Sequence, residues 1–161
     1  MQNPYAKYIA GKDALVAQTA ALARFQALGA QIIAAHKSQL SFAEGKWSAA
    51  QIMLHLAQGE MMFGTRYRQA VTMPNYQLQP FEQDDWMAHE PLMNFADSLQ
   101  AFVAMRTLNL NWLHNMSAAE KQLPLNHPQL GAGVVQDIIN IVAGHDLNHL
   151  EQLALIAAEP A

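Results

Sequence analysis

The chain has 161 residues, a formal net charge of -4 and a composition that is 52% hydrophobic and 14% charged. That is enough sequence to bury one core without staples, and too little positive charge to displace counterions from nucleic-acid phosphate, so nucleic-acid partners are excluded. No cysteine is present, which removes disulfides, zinc fingers and any thiolate nucleophile of the chain's own.

The first dozen residues carry no basic head followed by an apolar core, and polar or charged residues interrupt every apolar run before it reaches spanning length. The expectation is a soluble, cytoplasmic protein with no membrane partner.

The first periodic segment covers residues 13–37, with Leu15, Leu22, Phe25, Gly29, Ile32 and Ile33 on one face. His36 and Lys37 close it where cations suit the negative end of a helix dipole, so His36 reads as a surface residue and not a ligand. After a loop over residues 38–47, Ser48 and Gln51 form a capping box that starts a second helix over residues 49–70. Residues 72–93 contain Pro74, Pro80, Pro91, Asp84 and Asp85 and read as a long crossover with a short helical turn near Trp86. Its aromatics Tyr76, Phe81 and Trp86 pin it to the bundle, or else line a pocket mouth; packing is the simpler reading. His89 in this linker is expected to face solvent.

A third helix begins at Leu92 or Asn94 and ends at Asn115, with Leu99, Phe102, Val103, Arg106, Leu110 and Leu113 on one face. Arg106 on that stripe either meets a carboxylate or an anionic ligand, or snorkels out at the core edge, which is the simpler reading and the one expected. Ser117 with Glu120 is a second capping box, suited to a short turn of helix before Pro124. Residues 122–133, with Pro124, Pro128, Gly131 and Gly133, read as a loop in which His127 is exposed. A fourth helix covers residues 134–158. Four amphipathic helices without sustained strand alternation give an all-α fold, a single-domain four-helix bundle over residues 1–161. The long connection between helices two and three means that these need not be simple antiparallel neighbours.

The histidines carry the chemistry. His145 and His149 share a stripe with Val135, Ile138, Val142, Gln152 and Ile156, and His55 shares one with Ile52, Gly59, Met62 and Arg66. Residues at i and i+4 lie about 40° apart around a helix, so the pair can reach one ion. Seven histidines produce some such pair by chance, so the weight rests on their buried seam positions and not on spacing. Two readings stay open: hydrogen-bonded core histidines, or a metal tripod of His55, His145 and His149 with a position left for water or substrate. Glu60, about 140° round the helix from His55, reads as a surface or outer residue, and becomes a general base only if turned inward. Asp146 points away from His145 on its own helix, whereas Gln152 lies on the right face to orient His149.

Gly45-Lys46-Trp47-Ser48 followed by His55-Leu56 and Glu60, together with His145-Asp146-Leu147-Asn148-His149-Leu150-Glu151-Gln152, resembles the second- and fourth-helix signatures of the DinB-like (DinB/YfiT) superfamily. Arg106 and the loop over residues 117–133 fit the same layout. The resemblance implies a four-helix bundle whose histidines, here His55, His145 and His149, bind a divalent metal, commonly zinc or nickel. One departure is Gly133-Val134 where many relatives place Thr or Ser at the start of the last helix, which weakens the N-cap. Members divide into transferases that use low-molecular-weight thiols, isomerases and proteins of unassigned activity.

Three function classes follow. The first is a metal-dependent transferase that takes a low-molecular-weight thiol as its small-molecule substrate, a thiol this chain would have to import. The second is a metal-dependent hydrolase. The third is a non-catalytic, metal-stabilised interaction module, for which nine methionines fit either a homodimer interface or a well-filled core.

Overall fold

The computed structural model describes residues 1–73 and 76–160; Pro74, read above as part of the crossover, lies outside them. Four long helices form the bundle: α2 (Ala14–Ala34), α3 (Ala49–Thr72), α5 (Phe95–Asn115) and α7 (Val135–Ala158), with the short α1 (Ala6–Ile9), α4 (Gln83–His89) and α6 (Ala118–Lys121) in the connections. Among the described residues, no helix is long and apolar enough to cross a membrane.

The helix starts follow local chemistry. Asp13 accepts from the amides of Leu15 and Val16, both at 2.9 Å, and so caps α2. Ser48 and Gln51 close their box at 2.9 and 3.3 Å, which fixes α3 and with it the position of His55. At α7 the weak cap expected from Gly133-Val134 is offset from inside the helix: the Asp137 carboxylate accepts the Val134 amide at 2.9 Å.

α2 ends at Ala34, before the expected close at Lys37. His36 turns the chain with φ of 55°, and it is exposed as anticipated. Lys37 is buried and donates to the carbonyls of Ala157 and Glu159 at 2.8 and 2.5 Å. Its charge therefore serves the C-terminus of α7 and not that of its own helix.

The expected loop over residues 122–133 is instead a small antiparallel hairpin, β1 (Pro124–His127) with β2 (Gly131–Val134), in register from Pro124 opposite Val134 to His127 opposite Gly131. Strands this short carry too little alternation to stand out, and the turn signal lies in Gly131, whose φ of 84° suits glycine. His127 is consequently buried at 9% exposure, not exposed as its place before Pro128 suggested. The crossover does hold a helical turn around Trp86, as α4, with His89 exposed on it.

α3 and α5 pack against each other despite the long crossover. Each of α2 and α3 packs on α5 and α7, so the chain-consecutive α2 and α3 take opposite corners. Gly64 leaves room for the α5 side chain of Asn109: a Cβ there would lie 2.4 Å from it.

Two apolar clusters fill the interior, one around Phe25, Ile52, Met53, Phe102, Leu150 and Leu153, the other around Tyr67, Leu113, Val135, Ile138 and Val142. Between them along α3 and α7 lies a buried polar layer containing His55, Glu60, Arg106, Asp146 and the histidine pair. A polar layer inside an otherwise apolar core is costly unless every charge and donor is answered.

Candidate metal centre

His55 from α3 and His145 and His149 from α7 meet in that layer, all three at 7% exposure or less. The His145 Nε2 lies 2.9 Å from the Nε2 of His55 and 3.0 Å from that of His149. One donor nitrogen from each ring falls within 4.8 Å of the other two, a spacing one ion can bridge.

The donor set has a definite protonation state. Burial, followed by the neighbouring His149, pushes His55 down to about 3. Burial holds His149 at about 4 against the opposing pull of its hydrogen bond to Gln152. His145 lies well below the usual range, through burial and then the positive potentials of His149, His55 and Arg106. All three rings are therefore neutral at ordinary pH, as metal ligands must be.

Gln152 fixes one tautomer. Its Oε1 accepts at 2.7 Å from His149 Nδ1, which places the proton there and leaves the Nε2 lone pair facing the cluster. One proton on His145 Nε2 can satisfy only one of its two N···N contacts, and the other is then left without a hydrogen bond. A divalent cation between the rings answers all three lone pairs at once, so the residues fit such an ion. His55 Nδ1 is buried without a hydrogen-bond partner. Its ring is held by aromatics instead, with Trp47 at 4.9 Å and Phe81 stacked at 6.1 Å.

Arg106 is not a snorkelling residue. It is 1% exposed and forms a fork to Asp146 at 2.5 and 2.9 Å and a further bond to Glu60 at 2.6 Å. Glu60 is accordingly buried at 3%, and its other oxygen accepts from Asn109 Nδ2 at 3.0 Å. Burial raises Asp146 to about 6, with Arg106 pulling the other way, so the carboxyl is ionised at neutral pH opposite the guanidinium. Asp146 does point away from the histidine pair, as its place in α7 required. The network ties α3, α5 and α7 together directly behind the imidazoles.

In front of them lies a cavity of about 560 Å³ whose lining includes His55, His145, Tyr5, Phe63, Phe81 and Arg66. Phe81 thus belongs to a pocket wall as well as to the packing of the crossover, with Trp86 edge-on against it at 5.0 Å, while Tyr76 packs on the second apolar cluster. Tyr5 comes from the segment before α1 and sits edge-on to His145 at 5.3 Å. Gly144 makes room for it, since a Cβ there would lie 2.6 Å from that of Tyr5. Sequence reasoning missed Tyr5 and the buried role of Glu60; the signal for Arg106 and Arg66 was their place on apolar stripes.

The sequence profile of the DinB superfamily matches residues 14–153. The chain belongs to that superfamily. Among its relatives, an Oceanobacillus iheyensis protein named "Putative metal-dependent hydrolase OB0782" is 25% identical over 114 residues, covering 70% of this chain and 66% of the relative. A Bacillus mycoides protein of the same description is 24% identical over 108 residues, covering 65% and 61%. The match thus spans just under two thirds of those relatives' own length.

The fold is also that of YfiT from Bacillus subtilis, with a TM-score of 0.72 at 14% identity over 86% of this chain and 85% of that one. A mycothiol-dependent maleylpyruvate isomerase superposes with a TM-score of 0.68 at 14% identity, over 95% of this chain and 63% of its own. For this DinB-superfamily chain, the metal-dependent names of relatives and the three-histidine cluster together support a divalent metal site.

Proposed function

We propose that this protein is a metal-dependent enzyme in which His55, His145 and His149 hold a zinc or nickel ion through their Nε2 atoms, and that its nucleophile is a low-molecular-weight thiol. The observation that carries this reading is the convergence of three neutral imidazole nitrogens, 2.9 and 3.0 Å apart, two of whose rings, His55 and His145, line a cavity of about 560 Å³. An ion bound by three uncharged ligands keeps its full positive charge and lowers the pKa of a thiol or water beside it.

The buried polar layer behind the imidazoles offers no free base, which favours a nucleophile that needs none there. Both carboxylates of the polar layer, Glu60 and Asp146, are engaged by Arg106, so neither is free to take a proton at the imidazoles. The chain supplies no thiol, and a cosubstrate thiol would lose its proton to solvent and attack an electrophile, from which the leaving group departs. Phe63, Phe81 and Tyr5 line the cavity with apolar surface that limits water at the reacting atoms. The names of relatives favour a second reading, hydrolysis with water as the nucleophile.

The test assays metal-loaded and chelator-treated protein with a panel of small thiols and 1-chloro-2,4-dinitrobenzene, alongside a panel of esters and amides. Metal-dependent thiol consumption is expected. Metal-dependent ester or amide hydrolysis with no thiol turnover would replace the first reading by the second, and no metal-dependent rate on either panel would leave a structural ion only.

A further inference from the structure

The two buried arginines are treated differently by the fold. Arg106 meets two carboxylates, as buried charge ordinarily requires. Arg66 is 5% exposed, yet among the described residues no carboxylate lies within ion-pair distance of it. Its Nη2 donates to the Gln79 carbonyl at 2.5 Å, and its guanidinium carbon sits 5.8 Å from the Phe63 ring centre. A planar cation with donors to spare and no counter-charge is an incomplete arrangement.

Arg66 lines the same cavity as His55 and His145, and so does His127 from the hairpin. His127 Nδ1 accepts from the amides of Gln129 and Leu130, both at 3.2 Å, so its single proton sits on Nε2 as a second donor. Burial and the nearby Arg66 charge lower its pKa and keep it neutral. Glu82, Asp84 and Asp85 also line the cavity; their charge opposes any anion and a doubly charged one most, so an acid group must be held by Arg66 and His127 themselves. Phe63 joins the two sets of groups, its ring 5.8 Å from the Arg66 guanidinium carbon and 6.4 Å from the His145 ring, and Phe81 stacks on His55.

We propose that the cavity binds a carboxylate-bearing small molecule with an apolar middle, its acid group on Arg66 and His127 and its other end at His55 and His145. The proposal rests on the metal-centre reading for what happens at that other end, but the acid site is a property of Arg66 and His127 alone.

Phenylacetate and its neutral isostere phenylacetamide separate the two. They are titrated by NMR into chelator-treated protein, into zinc-loaded protein, and into the Arg66→Gln and Arg66→Lys variants, with cobalt(II) uptake followed by absorption in each. The metal-free wild type is expected to bind the acid about tenfold or more tightly than the amide, the worth of one charge-assisted hydrogen-bonded pair. Arg66→Gln should abolish that preference without changing the cobalt spectrum, and Arg66→Lys should keep part of it. If Arg66→Gln does not fold, His127→Phe carries the same comparison and should reduce the preference.

Equal binding of acid and amide, or a preference retained by Arg66→Gln, overturns the proposal. So does a preference seen only with zinc present, which would put the carboxylate on the ion. Failure of the wild type to take up cobalt overturns the metal-centre reading instead, and the metal-free titration still decides the acid site.

Discussion

A side chain at a buried ligand position must satisfy two demands, one nitrogen toward the ion and the other toward something that holds the ring. His149 meets both, because Gln152 Oε1 accepts a hydrogen bond from its Nδ1–H at 2.7 Å. Replacing Gln152 by alanine should leave the fold intact and weaken metal binding by about 10- to 100-fold, the usual effect of losing an outer partner. Competition against a chromophoric chelator measures it, and Gln152→Glu, which keeps the acceptor, should recover most of the affinity. The residue-scale features were unevenly legible in the sequence. Gln152 and the three histidines could be read because helical spacing placed them on buried stripes. Arg106 was readable only as a question, since pattern shows that a cation faces the core but not whether a distant residue answers it. His127 was misread because its burial depends on a hairpin whose pairing is not local to it.

At the scale of elements, the polar layer is what joins α3, α5 and α7. Arg106 on α5 contacts Glu60 on α3 and Asp146 on α7, all at 3% exposure or less. Arg106→Met keeps the side-chain length and removes the charge, which leaves two carboxylates facing each other in a closed space. Chemical denaturation should show a loss of about 3–5 kcal/mol, as expected when one partner of a buried ion pair is deleted. A loss under about 1 kcal/mol would mean that the network contributes little. The four long helices were legible because 3.6-residue periodicity and, for α3, the Ser48 capping box are local features of the sequence. The hairpin and the opposite-corner placement of α2 and α3 were not, because both depend on contacts between segments far apart along the chain.

For the whole molecule, three neutral buried histidines link stability to pH. Folded His55 and His149 take up protons only near 3 and 4, and His145 is held well below its ordinary range, whereas the unfolded chain takes them up at 6.5. Below 6.5 the unfolded state therefore holds more protons, and acid favours it. Metal-free protein should lose about 1.4 kcal/mol per pH unit for each histidine as pH falls from 6.5 toward 4. Asp146, shifted from 3.8 to about 6, works in the opposite direction between those values, one group against three. Thermal melts of chelated protein from pH 7.5 to 4.5 should show the decline, and a profile as flat as that of a variant with all three histidines replaced by asparagine would refute it.

A cation seated among the three rings is the premise of the proposed chemistry. Anomalous diffraction from zinc-soaked crystals tests that directly. One strong peak per chain is predicted, about 2.0–2.1 Å from each Nε2 of His55, His145 and His149. No peak in the bundle, or a peak bound by other residues while these three rings stay free, would contradict it.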